Sequence, residues 1–264
     1  MSIRSRAAQA AITWLNAERP RPAPVEEPGT HEALMGTVQP GDVLLMEGMT
    51  RVGGMIKTIA QSTWSHAALC VSGEGGPPPG VDPDILRPFV SDPAGAPVVL
   101  EALLGQGVIL TSLAQYRSTR LRLCRPRHLL PADRAAVVAY ALARLGDDYG
   151  LRGLVDLARL ALPWPFIPWR LRPALLAHRA GPHTRTVCSV LIAEAFASVG
   201  YPIRPKHAHG PSPQTADILP ALPKDFDLSP FFDVIKPAAM PSGYRTRQQE
   251  KAGIGHPPFA PDSA

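Results

Sequence analysis

The sequence predicts an α+β domain, an antiparallel sheet packed against helices, on three observations. Of 264 residues, 45% are apolar and 19% charged, which suits one well-cored domain of roughly 200 residues with extensions. Short apolar runs bounded by Gly and Pro read as strands, and Gly105-Gln106-Gly107 joins two of them as a hairpin. Longer stretches at 51–61, 132–145 and 187–199 repeat apolar residues at helical spacing.

Composition narrows the function. Proline (31) and glycine (22) make up about a fifth of the chain, below the roughly 25–30% of low-complexity chains. A net charge of +5 and a pI near 9.4 bring nucleic acid and anionic membrane into consideration. The arginines are scattered, no lysine-rich block occurs and aromatics are 6%, so no nucleic-acid partner is expected. The three cysteines are too few for a disulfide framework and lack C-x-x-C spacing, which predicts a reducing, cytoplasmic setting and no metal or other cofactor. No run approaches the 18 or more apolar residues of a membrane span.

Each element follows in order. Arg4 and Arg6 before an alanine-rich run faintly suggest a signal peptide, but Gln9, Asn16 and Glu18 interrupt it without a cleavage site. Residues 2–18 therefore read as a helix, with Ile3, Ala7, Ala11 and Leu15 spaced by four and Trp14 beside them. The prolines of 19–30 end it, because proline lacks the N–H and clashes with the preceding turn. The chain then divides into an N-terminal helix and linker (1–35), a main domain (36–236) and a polar, proline-broken tail (237–264) expected to be disordered.

Within the main domain, Gln39-Pro40-Gly41-Asp42 is a turn before a buried strand at Val43–Met46. A helix at 51–61 carries Val52, Met55, Ile56 and Ile59 on one side. The strand 65–71 follows, and period two places His66, Ala68 and Cys70 on one face. A Pro/Gly-rich excursion at 73–96 precedes strands at 97–102 and 108–110. Arg120–Cys124 reads as a strand and Ala132–Leu145 as a helix stopped by Gly146. An insert at 150–179 mixes Arg152, Arg159, Arg170, Arg172 and Arg179 with Trp164, Phe166 and Trp169. A strongly apolar helix opens at or near Cys188, and 231–235 is a last strand.

Cys188 draws attention because thiolate is the reactive form of cysteine, and a helix N-terminus favours negative charge. Taken alone, a cysteine ahead of an apolar helix is as a rule a small buried residue, so a base is needed. His66 supplies one, on an ordered strand beside small Ala68. Glu101 places a carboxylate inside an otherwise apolar strand, where it needs a partner. The imidazole of His66 would be such a partner, giving a nucleophile, a base and a residue that orients the base.

These residues carry a resemblance. Gly41-Asp42-Val43-Leu44-Leu45, then Trp64-Ser65-His66-Ala67-Ala68, Glu101-Ala102 with Gly107-Val108, a Gly146-x-x-Tyr149 turn and Cys188-Ser189 together resemble the circularly permuted NlpC-type papain-like amidases of the YaeF/YiiX branch. Lecithin:retinol acyltransferase-like enzymes are among their relatives. Ordinary papain-like chains place the cysteine before the histidine, and permutation reverses that order, as here.

The resemblance spans about residues 36–235 and implies a circularly permuted papain-like fold. It implies Cys188 as nucleophile, His66 as base and Glu101 as orienting residue, with Trp64 and Tyr149 near the substrate. The expected activity is thiol-dependent hydrolysis of a peptide-like amide, with lipid acyl hydrolysis or transfer as the alternative. A non-catalytic binding module of the same fold is the third reading. The sequence departs from the resemblance in its long 73–96 excursion, in Gly150 after the tyrosine and in the 150–179 insert. That insert suits either an anionic headgroup layer, where indoles and arginines gather, or a plain helical hairpin.

Overall fold

A computed structural model of the chain describes residues 3–18, 30–73, 76–86, 88, 96–147, 188–205 and 221–236. Tyr149, the 150–179 insert, the linker at 19–29, much of the 73–96 excursion and the tail from 237 lie outside the described residues.

Strands β1 (Val43–Met46), β2 (His66–Cys70), β3 (Val98–Leu103), β4 (Gly107–Ser112), β5 (Leu121–Pro126) and β6 (Phe232–Ile235) form one sheet in the order β4-β3-β2-β1-β5-β6. Every neighbouring pair is antiparallel. The strands stand where the alternating apolar runs predict them, with β4 and β5 each reaching two residues further. β1 is apolar on both faces and occupies the middle, which suits a sheet covered on two sides. Val43 and Leu45 join Ala67, Leu69 and Leu100 in one core, whereas Leu44 and Met46 join Ala68, Cys70, Val99 and Leu123 in another.

Helices complete both layers. On the sequence, α1 is Ile3–Asn16, α2 Thr30–Met35, α3 Arg51–Ala60, α4 Pro131–Leu142, α5 Cys188–Ser198 and α6 Pro223–Asp227. The apolar sides of α4 and α5 pack in the first core, and Leu34 of α2 packs in the second. The ends of α3 are set by local chemistry: the Thr50 hydroxyl accepts the Gly53 N–H at 3.1 Å, and left-handed Gln61 closes the other end. Proline at the first position of α4 needs no hydrogen-bond partner there. The two short helices α2 and α6 carry too few turns for a periodic signal, and the sequence reading has neither.

The turn before β1 shows what Gly41-Asp42 does. Gly41 has φ +83°, and a Cβ there would sit 3.0 Å from Arg134 Cγ, so a side chain would be both strained and crowded. Asp42 is fully buried and accepts the Gln39 N–H at 2.9 Å. Arg125 of β5 donates to it from Nε at 3.0 Å and from Nη2 at 2.7 Å, and Nη2 also reaches the Thr37 carbonyl. The motif thus ties the start of β1 to β5.

At the other end of the sheet, α1 lies on the β3–β4 turn and on α3. Asn16 Nδ2 donates to the Leu104 carbonyl at 2.9 Å. Leu15 and Ile12 pack with Leu104, Val52 and Met55, while Trp14 is 59% exposed beneath the Arg51 guanidinium, 4.4 Å from its ring centre. Gly105, at φ +83°, lets the turn approach so closely that a Cβ would fall 2.8 Å from Ile12 Cγ2.

Candidate active site

β3 carries Glu101, and its pairing of Leu69 with Leu100 and Cys70 with Val99 sets Glu101 diagonally across from His66 on β2. Ala68, two residues along β2 on the same face, is small and leaves the imidazole and the carboxylate room to meet. His66 Nε2 lies 2.7 Å from Glu101 Oε2. The other carboxylate oxygen accepts the Tyr116 hydroxyl at 2.6 Å. Glu101 is 1% exposed, so an ionised carboxylate there requires such donors.

Cys188 is the first described residue of α5, with its side chain turned into the first core and 5% exposed. The helix is held from behind by aromatic packing: Phe196 stacks edge-on against Phe232 of β6 at 5.2 Å, and Phe226 of α6 meets Phe232 at 5.6 Å. This fixes the α5 N-terminus beside the start of β2. There the His66 ring and the backbone N–H groups of Ala67 and Ser189 are near enough to the sulfur to favour its charged form. Because Nε2 is engaged by Glu101, Nδ1 is the ring nitrogen left for sulfur.

Charge follows from this geometry. Burial alone would raise the Cys188 thiol, but the His66 cation, its hydrogen bond and the two backbone N–H groups outweigh it and lower the pKa below 9.0. Burial likewise opposes a charged His66, yet the facing sulfur and the Glu101 carboxylate lift it well above 6.5. Glu101 also lies below its ordinary value, because the hydrogen bond and charge of His66, together with the Thr111 and Tyr116 hydroxyls, exceed the cost of burial. The three groups therefore favour a thiolate–imidazolium pair backed by a carboxylate.

The structure thus brings together Cys188, His66 and Glu101. Trp64, just before β2, is held by groups of the protein. It is 4% exposed, its indole N–H donates to Asp227 Oδ2 at 3.0 Å, and the Arg122 guanidinium lies 4.9 Å from its ring centre. Tyr149 lies outside the described residues. Cys70 and Cys124 are buried and free, and burial pushes both thiols up, Cys124 to about 12. Among the described residues no group of three or more His, Cys, Asp and Glu side chains is arranged to hold a metal ion.

Tyr116 escapes the sequence reading. It closes a short 3-10 turn, Leu113–Tyr116, whose start is capped by the Ser112 hydroxyl. A serine at the end of a strand and a tyrosine four residues on are common, so the pattern alone singles out nothing.

An activated sulfur next to a proton-carrying imidazole can attack an electrophilic carbonyl carbon and protonate the departing group. No family model matches the sequence, and no curated protein matches it. Among solved structures, the chain is similar to the metalloprotein yiiX from Escherichia coli O157:H7, DUF1105, at 15% identity and a TM-score of 0.46, over 75% of this chain and 96% of that one.

Proposed function

We propose that this protein is a cysteine-dependent hydrolase of peptide-like amide bonds, built on a circularly permuted papain-like fold. One observation carries the reading: His66 lies between the Cys188 sulfur, whose charged form it favours, and the Glu101 carboxylate 2.7 Å from its Nε2, on one helix and two neighbouring strands. The order in the chain, histidine and glutamate strands first and cysteine helix last, is the order permutation produces.

In this mechanism the Cys188 thiolate attacks the substrate carbonyl carbon and the carbon–oxygen π pair moves onto oxygen. Backbone N–H groups at the α5 N-terminus, that of Cys188 included, stabilise the oxyanion. As the tetrahedral intermediate collapses, His66 Nδ1–H gives its proton to the leaving amine nitrogen, and a thioester remains on Cys188. Neutral His66 then takes a proton from water, whose oxygen attacks the thioester carbon. The acid product leaves, and the thiolate–imidazolium pair is restored. Glu101 holds the ring and stabilises its cationic form throughout.

Lipid acyl esters are the second reading, because the same thioester forms whether nitrogen or oxygen departs. The paired charges at Cys188 and His66 favour an enzyme over a binding module. Three free thiols favour a cytoplasmic protein, and among the described residues no helix is long and apolar enough to cross a membrane. Intact-mass trapping with a panel of peptide amides and phospholipids tests the proposal. An acyl adduct on Cys188 from the amides is expected. An adduct from the phospholipids alone would move the substrate class to lipid, and none from either panel would refute the hydrolase reading.

A further inference from the structure

We propose that Tyr116 is a positioning residue of this site, whose hydroxyl bond to Glu101 Oε1 fixes the carboxylate so that Oε2 meets His66. The inference rests on the Cys188–His66–Glu101 reading and adds a fourth member to it. A glutamate side chain turns about three bonds, and one contact with His66 leaves its plane free to rotate. A second donor on the other oxygen removes that freedom. The two bonds are of similar length, 2.6 Å from Tyr116 and 2.7 Å to His66, and they engage both oxygens of a side chain with no exposed surface.

Tyr116 is itself anchored. Leu113 N–H donates to the Pro97 carbonyl at 2.8 Å, Thr119 N–H to the Tyr116 carbonyl at 2.9 Å, and the ring packs against the second core. Burial and the adjacent carboxylate push its phenol far above the usual tyrosine value, so the hydroxyl keeps its proton and remains a donor wherever the thiolate forms. Its O–H dipole also offsets part of the negative charge that Glu101 presents to the rest of the site. Removal of that dipole makes the site more negative, which disfavours the thiolate and favours the imidazolium. Both the acid and the base limbs of Cys188 reactivity should then move to higher pH.

The test measures Cys188 alkylation by iodoacetamide against pH, by intact mass, in the wild type, Tyr116→Phe, Glu101→Gln and the double variant, with folding checked by circular dichroism. In Tyr116→Phe the acid midpoint should rise by about half a unit to one unit, the scale of a partly transmitted hydrogen bond to a charged group. In the Glu101→Gln background the same substitution should move the midpoint no further, because no charge remains to be offset. Wild-type protein grown with 3-fluorotyrosine, a stronger donor, should show the opposite shift and keeps the test open if Tyr116→Phe does not fold. An unchanged midpoint, or equal shifts in both backgrounds, would overturn the inference while leaving the nucleophile in place. A wild-type Cys188 no more reactive at neutral pH than a free thiol in solution would overturn the triad and the inference together.

Discussion

Glu101→Gln probes the site most directly. The carboxylate receives the Tyr116 hydroxyl at 2.6 Å and lies 2.7 Å from His66 Nε2. Glutamine keeps the volume and can still accept from Tyr116 through its carbonyl oxygen. Its NH2 group then faces Nε2 and makes that nitrogen an acceptor, which moves the ring proton to Nδ1, against the sulfur. A neutral ring with Nδ1–H can neither take the thiol proton nor balance a thiolate. A hydrogen bond to a charged group is worth about 1.5–3 kcal/mol, so the thiolate population at neutral pH should fall about 10- to 150-fold. Alkylation of Cys188 followed across about pH 5 to pH 10 reads this out. In the wild type the thiol is depressed below 9.0 and the imidazole raised well above 6.5, so the rise in reactivity should be centred below the ordinary thiol value. In the variant it should climb only near the ordinary thiol value. Identical profiles would refute the claim that Glu101 supports the ion pair.

Other outcomes follow from the same structure. Cys188→Ala should abolish acyl-adduct formation with the fold retained, whereas Cys70→Ser and Cys124→Ser should leave Cys188 alkylation intact, since both thiols are buried and held protonated. Glu101 lies below its ordinary 4.5, so its charge adds stability that is full above that value and is lost as pH falls through the lower folded value. Thermal melts of the wild type should therefore show that loss on acidification, and Glu101→Gln should not. Asp42→Asn removes one partner of a buried pair and should cost about 3–5 kcal/mol in chemical denaturation. Co-sedimentation with anionic vesicles separates the two readings of the 150–179 insert. Binding lost in Trp164→Ala, Trp169→Ala supports headgroup contact, and no binding at low salt leaves the insert as plain structure.

What the sequence determined by itself is local. Val43–Met46 is apolar on both sides and reads as a short buried strand. His66, Ala68 and Cys70 alternate with Ala67, Leu69 and Val71, so the face of His66 was legible, as were the hairpin at Gly105 and the apolar helix that carries Cys188. Periodicity reports which side of an element is buried, because burial repeats with backbone geometry. It does not report partners. Glu101 needed a donor on any reading, but that Tyr116 would supply one depended on a turn after β4, and no periodic signal marks a four-residue 3-10 segment. That the Trp64 indole would meet Asp227 of α6, 163 residues further on, was likewise beyond any local pattern. The Asp42–Arg125 pair spans 83 residues and forms only once β1 and β5 are in register. Those contacts depend on how strands and helices are stacked, a choice made by the whole core at once, and so only the tertiary structure decided them.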